Sequence, residues 1–389
     1  MAIDFTFPPD IDALRLKVRD FIAQVVRPAE AKIAEREGDR RFLIQSIIEM
    51  RVAAHDWGLW LPHMPKEYGG MGLGHVAMAA VSAEAAKSAF GPYALNAQAP
   101  DEGNMHTLLH WGTEAQKEKY LRPLCEGKIR SCFAMTEPEV AGSDPTLIQT
   151  RAVPDGDQWV VDGHKWFISG ATGAKFAILI ARTEDTPEIP QARNSAFLID
   201  LPAKGWTVVR DVKTMAGHHN HAEIRIEGLR LPKDNMLGAR GQGHLLGQAR
   251  LGPARLAHCM RWIGQAEIAL DMLVDRALNR YAHGSFLAEK QGIQWMIADS
   301  TMELYQASSW SYMRPSRSTV ERTSAARCRW QSTSSRVRSI ESSIAQSRCT
   351  APLATRSTRR LRAWPSKHAG PASPMAPTKC TNGVSPNAR

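Results

Sequence analysis

Phe133-Ala134-Met135-Thr136-Glu137-Pro138, continuing through Ala141-Gly142-Ser143-Asp144, and then Gly163-His164-Lys165-Trp166-Phe167-Ile168-Ser169-Gly170, are the two stretches on which the reading of this chain turns. Each mixes apolar or aromatic residues with hydroxyls and glycines. A flat aromatic ligand with hydrogen-bonding edges needs that combination, a greasy wall and a few placed donors. Both stretches lie in a region, about Ile129 to Leu237, of short β-rich runs punctuated by turns. The runs are Trp159-Val160-Val161, Trp166-Phe167-Ile168, Ala177-Ile178-Leu179-Ile180, Phe197-Leu198-Ile199 and Ile224-Arg225-Ile226. Pro154-Asp155-Gly156-Asp157 supplies a hairpin turn before the first.

Outward from this region the pattern is helical on both sides. From Asp10 to about Lys128, apolar residues such as Leu14, Val18, Phe21, Ile22 and Val25 recur at helical spacing, with Asp10 placed to cap the first helix. After Gly252 the period returns in Met260, Ile263, Leu270, Leu273 and Ala277, and a second run reaches from Glu289 to about Gln306. The expected class is α+β. Residues 1–128 form an N-terminal helical domain, 129–237 a middle β-barrel-like domain, and 238–307 the start of a C-terminal helical bundle.

The residues that frame these domains resemble the acyl-CoA dehydrogenase family over about Leu14 to Gln306. The likeness begins at Gly112-Thr113-Glu114-Ala115-Gln116-Lys117, runs through Tyr120-Leu121, Pro123-Leu124 and Gly127, and takes in both stretches quoted first. It implies FAD as cofactor, held in the middle domain by Phe133, Met135, Thr136, Gly142 and Ser143 of one stretch and Phe167, Ile168 and Ser169 of the other. The segment Phe133 to Ser143 is expected to be a strand. Where the family usually has Trp, this chain has Phe167. The resemblance also implies that Ser143 meets the acyl-CoA and that Arg255, in Gly252-Pro253-Ala254-Arg255, binds it by its phosphates. Arg280 is implied to reach the FAD pyrophosphate of a neighbouring subunit, and Gln291 to make a further cofactor contact. The implied reaction is α,β-dehydrogenation of an acyl-CoA thioester, with electron-transferring flavoprotein as partner and a homodimer or homotetramer as assembly. An acyl-CoA oxidase, a nitroalkane oxidase relative or a non-catalytic flavin-binding scaffold are the alternatives.

Other function classes find little support. Of the formal charge of +10, the residues from Ser308 onward carry 15 Lys and Arg against Glu321 and Glu341, so the rest of the chain is slightly acidic. Trp310, Tyr312, Trp330 and Trp364 are the tail's aromatics, too few to interleave with its charges as a nucleic-acid binder's would. No run approaches the roughly 18 apolar residues of a membrane span, and cytoplasmic residence is expected. The six cysteines show no metal-ligand spacing, and His218, His219 and His221 lack a completing ligand, so they read as a surface loop. Gly69-Gly70-Met71-Gly72-Leu73-Gly74 and Gly241-Gln242-Gly243-His244 read as turns, since neither lies in a strand-glycine-helix unit.

Beyond Ser308 helical and strand periods both stop. Ser308 to Pro315 can be encoded as AGC TCA TGG TCC TAC ATG CGG CC, which regroups by two nucleotides to Leu-Met-Val-Leu-His-Ala-Ala, an apolar helical continuation of Tyr305-Gln306-Ala307. In the same alternate frame Ala345 to Thr355 yields Arg-Ala-Ile-Gln-Val-His-Gly-Ala-Leu-Gly-Tyr, similar to the family's flavin-contacting helix and turn. Pro374 to Asn382 yields Asp-Gly-Ala-Asp-Glu-Val-His-Gln, similar to the segment that holds an Asp general base in one branch. One deleted nucleotide near the codons for Ala307 and Ser308 accounts for all three. Residues 308–389 are therefore expected to be an out-of-frame, disordered basic tail, and no catalytic base is expected in the chain as written.

Overall fold

Pro9 opens α1 (Pro9–Phe21), where its missing N–H costs nothing, and Asp10 and Asp12 in the first turn complement the helix dipole. The cap position itself is Pro8, so Asp10 acts through its charge inside the helix and not as the cap. The computed structural model describes residues 6–185, 188–214 and 219–313. The tail read as out of frame falls almost wholly outside these.

A π-helical turn joins α1 to α2 (Arg27–Glu35). Asp39 caps α3 (Arg40–Asp56) by accepting from Phe42 N at 2.9 Å. Next come α4 (His75–Ala85), α5 (Gly91–Ala94), α6 (Asp101–Trp111), α7 (Glu114–Gln116) and α8 (Arg122–Cys125). Gly69 to Gly74 is irregular chain before α4, as its glycines suggested. The motif at Gly112 to Lys117 has a local explanation: Thr113 and Gln116 form a capping box. Gln116 then extends its amide to Asp234 O (2.9 Å) and Met236 O (3.0 Å), stapling the helical domain to the sheet.

The middle domain is one eight-stranded sheet. Its strands are β1 (Ser131–Ala134), β2 (Arg151–Asp155), β3 (Gln158–Ser169), β4 (Phe176–Arg182), β5 (Asn194–Asp200), β6 (Trp206–Lys213), β7 (His219–Pro232) and β8 (Met236–Leu237). Their order is β6-β7-β3-β2-β4-β5-β8, and β1 pairs β4 in parallel. The hairpin predicted at Pro154 to Asp157 joins β2 to β3, with Gly156 at φ +58. β4 and β5 are buried on both faces. Phe176, Ile178 and Ile180 point to the core shared with the N-terminal helices, while Ala177, Leu179 and Ala181 point to the sheet's own core. Two runs read as separate strands, at Trp159 and Trp166, are one strand, because Gly163 lets β3 pass close to Thr150: a Cβ there would lie 2.3 Å from its hydroxyl. The expected strand Phe133 to Ser143 is shorter than predicted, ending at Ala134.

The C-terminal part is α9 (Gly243–Asn279), a hairpin of β9 (Tyr281–Ala282) and β10 (Ser285–Phe286), and α10 (Gln291–Met313). Helix starts at Gly243, so only Gly241-Gln242 of that glycine stretch is a turn, and Gly252 and Pro253 lie inside α9. Both disfavour helix interiors, but α9 packs against α4, α6 and β5, and tertiary contact overrides propensity. Where α9 crosses the alanine-rich α4, a Cβ on Gly264 would lie 2.0 Å from Ala83 O, so only glycine permits the approach. Arg15 and Arg19 of α1 and Lys87 close on the buried Glu84 of α4, and Lys87 also pairs with Glu267 of α9. α10 continues past Ala307 to Met313, beyond the end read from its period. Leu304 and Ala307 are buried with Met260 and Ile263, while Trp295, Met302 and Tyr305 on the other side are 61%, 55% and 61% exposed. No described helix is long and apolar enough to cross a membrane.

His63 is buried among the N-terminal helices. Its Nε2 donates to Asn96 O at 3.2 Å, which leaves Nδ1 to accept from His106 Nε2, also 3.2 Å away. Burial pushes both imidazoles down to about 4. In the unfolded chain they take up protons near 6.5, so the unfolded state binds more protons between pH 6.5 and 4 and stability falls across that window. The contribution of His63 is on the order of 3 kcal/mol. Thermal unfolding followed from pH 7 to 4 should show this loss, and His63→Gln should flatten it.

Candidate functional site

β3 sets the geometry of the site through one interruption. Trp159, Val161 and Lys165 all point inward, and strict alternation would bury Phe167 next. A register shift against β7 between Lys165 and Ile168 breaks the alternation. Ile168 takes the buried place at 1% exposure, and Phe167 is turned out, 46% exposed, with a left-handed φ of +53. A non-glycine aromatic in that backbone region is held against a cost of order 1–3 kcal/mol. Its ring lies beside that of Trp166, with centroids 4.6 Å apart.

The segment after β1 runs alongside this bulge. Trp166 N donates to Thr136 O at 3.0 Å, and Thr136 Oγ1 donates to Trp166 O at 2.6 Å. Met135 and Thr136 are half-buried here. Gly142 folds back over Thr136, where a Cβ would sit 3.3 Å from the threonine methyl, and Ser143 next to it is exposed. A small cleft is lined by Met135, Thr136, Val140, Gly142, Asp144 and Ile148.

Beneath both segments lies an ion pair with almost no solvent contact. Lys165 Nζ donates to Glu137 Oε1 at 2.8 Å and to Met135 O at 2.9 Å. Glu137 also accepts from Gln149 N (2.7 Å) and Thr150 N (2.9 Å). Burial lowers Lys165 to about 8 against the pull of Glu137. Burial tends to raise Glu137, but the Lys165 charge and the hydrogen bonds outweigh it and hold the carboxyl below its usual range.

β1 is anchored from the helical side. Asp101, fully buried, accepts from Ser131 N (2.9 Å) and Ser131 Oγ (2.6 Å), and it pairs with Arg130. Arg250 of α9 donates to Asn104 Oδ1 at 3.1 Å and lies over the Phe133 ring at 4.3 Å, and burial lowers it to about 10. Phe133 is thus engaged by Arg250.

The predicted residues divide into three sets. Met135, Thr136, Gly142, Phe167 and Ser169 come together along the bulge and the segment bonded to it, with Ser143 beside Gly142. Phe133 and Ile168 have side chains engaged in packing. Arg255 is half-buried on α9, with Nη2 3.4 Å from Gln248 Oε1, while Arg280 and Gln291 are exposed where α9 gives way to α10. His221 is not in a loop: it stands on β7, its Nδ1 2.8 Å from Ser169 Oγ, because β7 extends through that segment to pair with β3. Lys165, Glu137, Asp101 and Arg250 were missed. Lys165 had a visible signal, a charge in the apolar phase of a strand. Among the described residues no cluster suited to a metal ion occurs.

An aromatic face, apolar neighbours, a glycine allowing close approach and hydroxyls at the rim fit the chemistry of an isoalloxazine ring. Three domains of one family match the sequence: the acyl-CoA dehydrogenase N-terminal domain at residues 8–128, the middle domain at 132–229 and the C-terminal domain at 241–342. The chain belongs to the acyl-CoA dehydrogenase family, oxidoreductases that are flavoproteins. It is 38% identical over 312 residues to "Probable acyl-CoA dehydrogenase FadE2" of Mycobacterium tuberculosis, covering 78% of this chain and 76% of that protein. With acyl-CoA dehydrogenase family member 11 of Gallus gallus it shares 36% over 307 residues, 75% of this chain but 39% of the longer relative. A solved Mycobacterium abscessus structure assigned to the acyl-CoA dehydrogenases superposes with a TM-score of 0.81 at 30% identity, covering 93% of this chain and 96% of that one.

Breaking the buried pair should be costly. Lys165→Met leaves the Glu137 carboxylate buried without its counter-charge and should lower stability by about 3–5 kcal/mol. Adding Glu137→Gln should recover part of the loss, as read from urea denaturation midpoints of the single and double variants.

Proposed function

We propose that the site holds the isoalloxazine ring of FAD against an acyl-CoA thioester, and that the in-frame protein carries out α,β-dehydrogenation of the acyl chain. The observation that carries this reading is the outward, left-handed Phe167, an exposed aromatic presented by a bulge next to Met135, Thr136 and Ser169. The bulge serves packing through Ile168, while the outer face of the Phe167 ring is left open to a ligand. In the family's pattern Phe167 covers one face of the ring, Met135, Thr136 and Ser169 contact its edges, and Ser143 lies between cofactor and substrate. Bound FAD would supply the acceptor for the hydride that leaves Cβ. Arg255 suits the phosphates of CoA. Arg280 and Gln291, exposed and away from the bulge in chain position, suit the FAD of a second copy in a homodimer or homotetramer, and electron-transferring flavoprotein is the proposed electron acceptor.

We further propose that the chain as written lacks the base that removes the α proton, because its segment is read out of frame after about Ala307. The relatives quoted above align over 75–78% of the chain, a share close to that of the residues before Ser308. The C-terminal family match reaches residue 342, past this point. α10 adds a physical argument: with Leu304 and Ala307 buried on one side and Trp295, Met302 and Tyr305 exposed on the other, it is apolar on two faces, as a helix inside a larger bundle would be. Each large side chain deprived of a packed partner costs roughly 2–5 kcal/mol, against a total stability of about 5–15 kcal/mol.

The chain as written should therefore express as a poorly soluble product with little or no flavin. The frame-restored version should purify yellow, and its visible band should bleach on anaerobic addition of a fatty-acyl-CoA. Ordinary rates of dye reduction by the 389-residue chain would overturn the frame proposal, and a colourless restored protein would overturn the flavin reading.

A further inference from the structure

Ser169 closes β3, and the pairing of β3 with β7 sets His221 directly opposite it. The serine hydroxyl and His221 Nδ1 are 2.8 Å apart. A serine hydroxyl has one hydrogen and two lone pairs, whereas Nδ1 of a neutral imidazole either donates or accepts according to tautomer, and Nδ1 of the cation only donates. When Nδ1 carries a proton, the serine accepts from it and its own hydrogen is free for a ligand. When Nδ1 is bare, that hydrogen is drawn to the ring.

We infer that His221 is a positioning residue that sets, through Ser169, whether the hydroxyl at the flavin edge donates or accepts. The inference rests on the flavin reading above. The imidazole is half-buried, which lowers it below its usual 6.5, while Asp211 on β6 pulls the other way. Asp211 itself accepts from Thr172 Oγ1 at 3.0 Å. The other charged or titratable residues of these strands are Arg210 and Lys213 on β6, Asp162, His164 and Lys165 on β3, and His219, Glu223, Arg225, Glu227 and Arg230 on β7. Of these, Arg210 and His164 are both bonded to Glu223, and Lys165 to Glu137. At neutral pH the tautomer decides the direction of the bond. In acid, His221 becomes a donor only, and the serine hydrogen is released.

Two measurements test this. In 15N-histidine spectra of the frame-restored protein, signals lost in His221→Gln and His221→Asn identify the ring, which should titrate with a midpoint below 6.5 and shift its tautomer balance in Ser169→Ala. In the frame-restored protein loaded with FAD, the flavin absorption should move with the same midpoint, and this movement should vanish in both His221 variants while they still bind FAD. FAD bound one per chain, with a spectrum following an unchanged pH curve in the His221 variants, would overturn the inference alone. A restored protein that retains no FAD would remove the flavin reading and the inference with it.

Discussion

The buried pair of Lys165 and Glu137 is the constraint from which the site follows. Neither group can be left uncompensated in an apolar sheet. Lys165 therefore satisfies Glu137 and Met135 O together, and Glu137 in turn holds the backbone at Gln149 and Thr150. The irregular chain between β1 and β2 is fastened at both ends against β3. With Lys165 committed inward, the residues after it must rearrange for Ile168 to reach the core, and the bulge that accomplishes this turns Phe167 out. A structural necessity and an exposed aromatic thus come from one local device.

The fold was legible because its signals were local and periodic. Apolar spacing at Leu14, Val18 and Phe21 marked α1, and the turn residues at Asp155 and Gly156 marked the β2–β3 hairpin. Gly252-Pro253 misled, because propensity speaks for an isolated helix and α9 is held by α4, α6 and β5. Asp10 misled for a simpler reason: an acidic residue looks the same at the cap and in the first turn. The candidate site came from the two motifs and their family likeness, which pointed to Phe167 and Ser169. What the sequence could not show was partnership across the fold. Asp101 and Ser131 meet only because α6 lies against β1, and His221 meets Ser169 only because β7 pairs with β3 in one register out of several conceivable ones.

The three domains of the family profile are not three structural units here. Gln116, part of a helix cap, also binds carbonyls at Asp234 and Met236, so the end of the N-terminal helical domain and the end of the middle domain share a side chain. Arg250 does the same between α6, α9 and the ring of Phe133. The middle sheet has its own core, but its β4 and β5 faces belong equally to the N-terminal helices.

The crossing at Gly264 also has a bearing on synthesis. α4 leaves the ribosome long before α9, and its face bearing Ala79 and Ala83 has no cover until the residues around Met260, Ile263 and Gly264 have been made. By Ala307 that cover is in place. On the frame reading proposed above, the change comes after these residues have been made, and α10 presents Trp295, Met302 and Tyr305 outward. Large apolar side chains exposed together on one helix favour contact with other copies of the chain over contact with water.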